Sequence, residues 1–184
     1  MQGVALAIAL AVVVVLVAVL VTLGWRVARW TVRTRRILAF RSTVAGLTGR
    51  SESALAAVCE RVDGARRGSL AGEEILADLA AATLAIATLA GESRRVRSPA
   101  ATGVIVSRIT EELDRAGRAL EMVEHGCRLM EGGHGREHEP ESQTAIKRGY
   151  LNLLHVRESL AEQAAAAAAL PVTIPRFLSR RPSE

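Results

Sequence analysis

Gly3 to Gly24 form a run of 22 residues without one charged side chain. At about 1.5 Å of rise per residue, a helix of that length reaches roughly 33 Å, enough to cross a hydrocarbon core of about 30 Å. A cleaved signal peptide would place basic residues ahead of an apolar stretch of about 7 to 15 residues. Here only Met1 and Gln2 precede the run, and the run is longer. The expectation is a retained transmembrane anchor over residues 1–24.

Seven arginines follow before the first acidic residue, Glu52: Arg26, Arg29, Arg33, Arg35, Arg36, Arg41 and Arg50. The positive-inside rule holds such a flank in the cytoplasm and sends the N-terminus outward. Trp25 and Trp30 stand where the apolar run ends, the depth at which amphipathic rings settle among headgroups. Trp25, Arg26, Arg29, Trp30, Arg33, Arg35 and Arg36 are therefore the expected membrane interface. Arginines at helical spacing, beside an apolar stripe of Ile37, Phe40 and Val44, predict a basic juxtamembrane helix over residues 25–48. Such a segment can attract anionic lipid at about 1 kcal/mol per arginine, although a topology signal alone accounts for the same residues.

The whole chain carries 24 Lys plus Arg against 19 Asp plus Glu, and setting the seven arginines aside leaves 17 against 19 for residues 51–184. The basic character thus belongs to the membrane edge, which argues against nucleic acid as a partner. The aromatic residues are Trp25, Trp30, Phe40, Tyr150 and Phe177, so Tyr150 alone falls within the later helical part. A core of Ala, Leu, Val and Ile offers few faces on which a base, flavin or haem could stack. No cofactor is expected. Cys59 and Cys127 lie in a part assigned to the reducing cytoplasm and read as small buried apolar residues.

Gly46, Gly49 and Ser51 are expected to interrupt the first helix, with a short helix carrying Leu55, Val58 and Val62 before a turn at Gly64 to Ser69. A second helix from about Leu70 places Glu73 and Glu74 at its positive end and runs to Arg94 through Arg97. Leu76, Leu79, Thr83, Ile86 and Ala90 alternate three and four apart, with Ile75, Ala82 and Leu89 widening the apolar face, and this helix is expected to be the most buried. Ser98 and Pro99 give an N-cap and first-position signal for a third helix. There Thr102, Val106, Ile109, Leu113, Ala116, Leu120, Val123, Cys127 and Met130 alternate spacings of four and three, a heptad seam. Gly103 and Gly117 lie inside this helix, and a close neighbouring helix would compensate them. Gly132, Gly133, Gly135 and Pro140 are expected to break the chain, with Ser142 capping a last helix that Pro171 stops. Its seam runs Ile146, Gly149, Leu153, Val156, Leu160, Gln163, Ala167 and Leu170. Two long seams joined by a short turn predict an antiparallel hairpin, with Ile109, Leu113, Leu120, Val123, Leu153, Val156 and Leu160 as its packing residues. Residues 49–170 form the expected bundle and 171–184 a disordered basic tail.

Little of this pattern points to chemistry. His125, Cys127, His134 and His138 fall close together, but residues 134–138 read HGREH rather than HExxH, and a polar turn explains them without a metal. His155 turns away from the seam, and an exposed histidine on a helical bundle can accept phosphate. Its neighbours, Val156 and Arg157, supply no acidic residue directly after it, and an ordinary surface histidine is the simpler reading. There is no Gly-rich phosphate loop after a strand and no GxSxG elbow, so neither an enzyme nor a small-molecule substrate is expected. The reading is an all-α chain: a single N-terminal transmembrane helix, then a cytoplasmic helical bundle with a long antiparallel hairpin. Its expected role is a membrane-tethered scaffold or adaptor that binds a protein partner or a second copy of itself. The alternative is a signalling module, through phosphotransfer at His155 or anionic-lipid sensing by the juxtamembrane helix.

Overall fold

The structure, a computed structural model, describes the backbone of residues 2–99, 102–131 and 135–171, and side chains over 15–99, 102–130 and 139–171. Among these residues there are four helices and no strand: α1 (Gln2–Arg66), α2 (Glu73–Arg95), α3 (Gly103–Glu131) and α4 (Gly135–Ala168). The chain divides into two compact units, residues 1–39 with 171–184, and residues 40–170.

In the first unit, the side chains of α1 from Val15 to Leu23 are exposed all around the helix; Val15 is 62% exposed, Leu20 60% and Val21 64%. Thr22 and Thr31 satisfy their hydroxyls within the helix, donating to the carbonyls of Val19 (2.9 Å) and Ala28 (2.8 Å). Among the described residues two helices are long and apolar enough to cross a membrane, α1 and α2. Their burial differs, however: none of the apolar window of α1 is buried, against 33% of that of α2.

In the second unit, the last part of α1 packs with α2, α3 and α4 around one core of aliphatic side chains. The expected interruption at Gly46, Gly49 and Ser51 is absent, and α1 continues to Arg66. The hydroxyls that could have competed with the helix are absorbed by it: Thr48 donates to the Val44 carbonyl at 3.0 Å and Ser51 to that of Leu47 at 2.9 Å. Phe40, Val44, Leu47, Ser51 and Leu55 then bury one continuous stripe, whose packing outweighs a propensity cost of about 1 kcal/mol per glycine. α1 does end where the turn was expected. Gly68 adopts φ +72°, and its N–H and that of Ser69 donate back to Ala65 and Gly64, both at 3.0 Å. This is a Schellman closure, which favours glycine at that position.

α2 begins with Glu73 and Glu74 and ends with Arg94 and Arg95, both in the sense that favours the helix dipole. Its buried stripe is Ile75, Leu79, Ala82, Ile86, Leu89, Ala90 and Ser93. α3 starts at Gly103 rather than at Ser98 and Pro99. Pro99 instead closes a turn, its carbonyl accepting the Thr102 N–H at 2.8 Å and the Thr102 hydroxyl at 2.9 Å; Ala100 and Ala101 lie outside the described residues. α4 starts seven residues before Ser142 and contains Pro140. A proline near a helix start removes one backbone hydrogen bond without ending the helix. Ser142 is spent inside α4, its hydroxyl donating to the Glu139 carbonyl at 2.9 Å.

Side-chain contacts connect each helix to its neighbours. Across α1 and α2, Arg50 pairs with Glu92 and Arg61 with Asp78, the latter at 2.7 Å. Between α2 and α3, Ser93 and Thr110 share a hydrogen bond of 2.8 Å and Arg94 meets Asp114 at 2.6 Å. α3 and α4 touch where Gly126 faces Ser142 and Ile146, and where Gly149 faces Ala119 and Val123. α4 returns to α1 through Arg157 to Glu52, Arg66 over the Tyr150 ring at 5.3 Å, and Arg41 donating to the Leu170 carbonyl. Along α1 and α2, and along α3 and α4, contacts that advance on one helix recede on the other.

Candidate functional site

Three groups of residues stand out: the arginine and tryptophan segment of α1, the aliphatic interior, and the outer face of α2. In the first, Arg26, Arg29, Arg33, Arg35 and Arg36 are all exposed. Trp25 is 64% exposed, with the Arg29 guanidinium 5.3 Å above its ring, and Trp30 is partly covered. With 3.6 residues per turn, Arg26, Arg29, Arg33 and Arg36 fall within roughly 80° of one helix face, and Arg35 opposite. None of these five is in an ion pair among the described residues. Arg50, Arg61, Arg66, Arg67, Arg94, Arg115, Arg128 and Arg157, by contrast, each meet a carboxylate.

Those pairs act as surface pins. The hydrogen bond from Arg50 lowers the Glu92 pKa, and those from Arg66 and Arg67, with their positive charge, lower that of Asp63. Both carboxylates are partly exposed, paired with arginines that reach into solvent, and such surface pairs add little stability individually.

In the interior, Ile109, Leu113, Leu120, Val123, Leu153, Val156 and Leu160 are all buried, between 0 and 3% exposed. They are consumed in packing α3 on α4 and on the other helices, so none remains to face a partner. Cys59 and Cys127 are both buried in the same core. Burial pushes the Cys59 thiol up, a shift that the charge of Arg157 partly opposes. We therefore expect both thiols to resist maleimide at neutral pH in the folded protein and to react with two equivalents once it is denatured. Rapid labelling of the native protein would show that the core opens locally.

The outer face of α2 was not anticipated. The second helix was expected to be the most buried, yet Leu84 is 70% exposed, and Ala77, Ala80, Ala81, Ala87 and Thr88 are exposed with it. At 100° per residue Leu84 lies about half a turn from the stripe of Ile75, Leu79 and Ile86, a phase that the sequence does contain. Beside it, between α1 and α2, runs a groove of 540 Å³ lined by Ala54, Ala57, Val58, Ala81, Ala82 and Ala85, with Glu60, Arg61 and Asp78 at one side. Arg61 is held across that side, donating to the Glu74 carbonyl at 2.7 Å.

His155 is exposed on α4 beside Leu151 and Leu154, and His125 is exposed on α3. His134, the side chain of His138 and the tail beyond Pro171 lie outside the described residues. Among the described residues no group of three His, Cys, Asp or Glu is placed to hold a metal ion. No family model, curated protein or solved structure matches the chain.

Proposed function

We propose that the protein is a non-enzymatic, single-pass membrane protein, a tethered helical scaffold or adaptor that engages another protein or a second copy of itself. Support for the span comes from the first part of α1: consecutive Val and Leu side chains exposed on every side find a matching solvent only in lipid. The arginines after residue 24 then favour an N-terminus outside and the helical domain in the cytoplasm. α2 passes the same length and hydropathy test, but it buries Ile75, Leu79 and Ile86 among the other helices, as a core helix does. The α3–α4 pair reads as a long antiparallel hairpin, and its interior seams hold the domain together.

The observation that carries the docking role is Leu84, 70% exposed on an uncharged helix face beside an alanine-lined groove. A projecting leucine next to a shallow apolar groove suits a helix from a partner, and equally a second copy of this face about a twofold axis. Tethering confines both partners to the membrane surface and raises their effective concentration.

A photoactivatable residue at position 84, irradiated in intact membranes, is expected to crosslink to a protein, either a second copy or a different chain. Leu84→Arg is expected to abolish co-isolation of that protein while changing stability by no more than about 0.5 kcal/mol, as for an exposed site. Crosslinks from position 147, on the exposed side of α4, with none from position 84, would refute this choice of face.

A further inference from the structure

We infer that the arginines of α1 bind the phosphate groups of anionic lipids, an inference that rests on the membrane-anchor reading above. Arg26, Arg29, Arg33, Arg35 and Arg36 are exposed, and among the described residues they lack the carboxylate partners that eight arginines of the helical domain possess. Four of them share one face, so their guanidinium groups converge on one strip. From Arg26 to Arg36 the helix rises about 15 Å, farther than the headgroup layer is thick. Direction closes the difference. Cα–Cβ bonds on a helix tilt toward its N-terminus, so long side chains that follow an N-terminal span lean back toward the bilayer. Guanidinium forks fit phosphate oxygens in a bidentate manner that a lysine point charge does not reproduce. Trp25, with Arg29 over its ring, adds an amphipathic surface at the same depth. An RNA backbone would offer similar phosphates, but it would also meet a domain with more acidic than basic residues, 19 against 17 over residues 51–184. A lipid surface meets the arginines first.

Trp25 and Trp30 are the only tryptophans, so tryptophan emission excited selectively, apart from Tyr150, reads this strip alone. The full chain would be reconstituted into phosphatidylcholine vesicles containing a minority of lipid brominated in its acyl chains, carried either by phosphatidylglycerol or, at the same fraction, by phosphatidylcholine. We expect the brominated anionic lipid to quench as though it were roughly fivefold enriched around the protein. That excess is expected to vanish at about 1 M salt, where the Debye length is about 3 Å, and in a variant with Gln at all five arginines. The variant with Lys at all five keeps part of it.

Equal quenching by both lipids in the wild-type protein would overturn the inference while leaving the anchor intact. An excess that survives the Gln variant would overturn it as well. Quenching by neither lipid would remove the anchor reading together with it. A change in emission on adding RNA to neutral vesicles, without preference for anionic lipid, would replace lipid by nucleic acid.

Discussion

Leu120→Asp is expected to unfold the helical domain of residues 40–170 while leaving the apolar run of α1 able to insert into a bilayer. Leu120 is 0% exposed on α3, in the same core as Val123, Leu153 and Val156. Removing the leucine side chain alone costs about 2–5 kcal/mol, depending on how far the core collapses into the space. A carboxylate left there without a partner adds a penalty of several kcal/mol, or must take up a proton to avoid it. A domain of this size has about 5–15 kcal/mol in total, so the two terms together consume most or all of it. Circular dichroism of the full chain in detergent is expected to lose its cooperative thermal transition, and Cys59 and Cys127 to become reactive at ambient temperature. The variant is still expected to fractionate with membranes, because residues 3–24 are unchanged. An unaltered melting curve would contradict the core assignment, and loss from the membrane fraction would contradict the independence of the anchor.

The all-helical class and the apolar N-terminal helix were legible in the sequence because both are written in periodicity and in charge, which are local properties. The interior seams belong to the same kind of signal. Ile109, Leu113, Ala116 and Leu120 lie three or four apart, and all four are buried. Helix ends were less legible. Gly46, Gly49 and Ser51 read as a break, yet tertiary packing of Val44, Leu47 and Leu55 carries α1 through them; local propensity yields to burial of a long stripe. Pro140 read as a break, yet as the sixth residue of α4 it removes one backbone hydrogen bond and crowds the carbonyl four residues back without ending the helix. The outer face of α2 was illegible for a different reason. Alanine and threonine are tolerated both inside and outside, so a charge-free helix does not reveal how much of it is covered.

The glycines were the least legible, and they lead to the second large effect. Gly126→Ala and Gly149→Ala are each expected to destabilise the domain by about 1–3 kcal/mol, as overpacking does, whereas Gly117→Ala is expected to stabilise it by up to about 1 kcal/mol through helix propensity. A Cβ at position 126 would stand 2.8 Å from Ile146 Cγ1, 2.9 Å from the Ser142 carbonyl oxygen and 3.2 Å from Ala145 Cβ. At position 149 it would press on a Val123 methyl and stand 2.9 Å from the Ala119 carbonyl oxygen. Side-chain ends can rotate aside, but carbonyl oxygens of a facing helix cannot, so α3 and α4 must separate. At Gly117 nothing lies within 4 Å, and at Gly103 only Ser98 Oγ, at 3.7 Å. The seam of α3 therefore has two unlike flanks: Ala119 and Gly126 face α4, while Gly103 and Gly117 do not. The period of a helix locates its apolar stripe without saying which flank a partner helix will occupy. Because positions 126 and 149 widen the same interface, the double variant is expected to lose less than the sum of the single losses. Thermal melts of the three single variants and the double decide it. A uniform gain in stability at all three glycines would mean that propensity rather than interhelical spacing governs them, and that α3 and α4 lie farther apart than these contacts require.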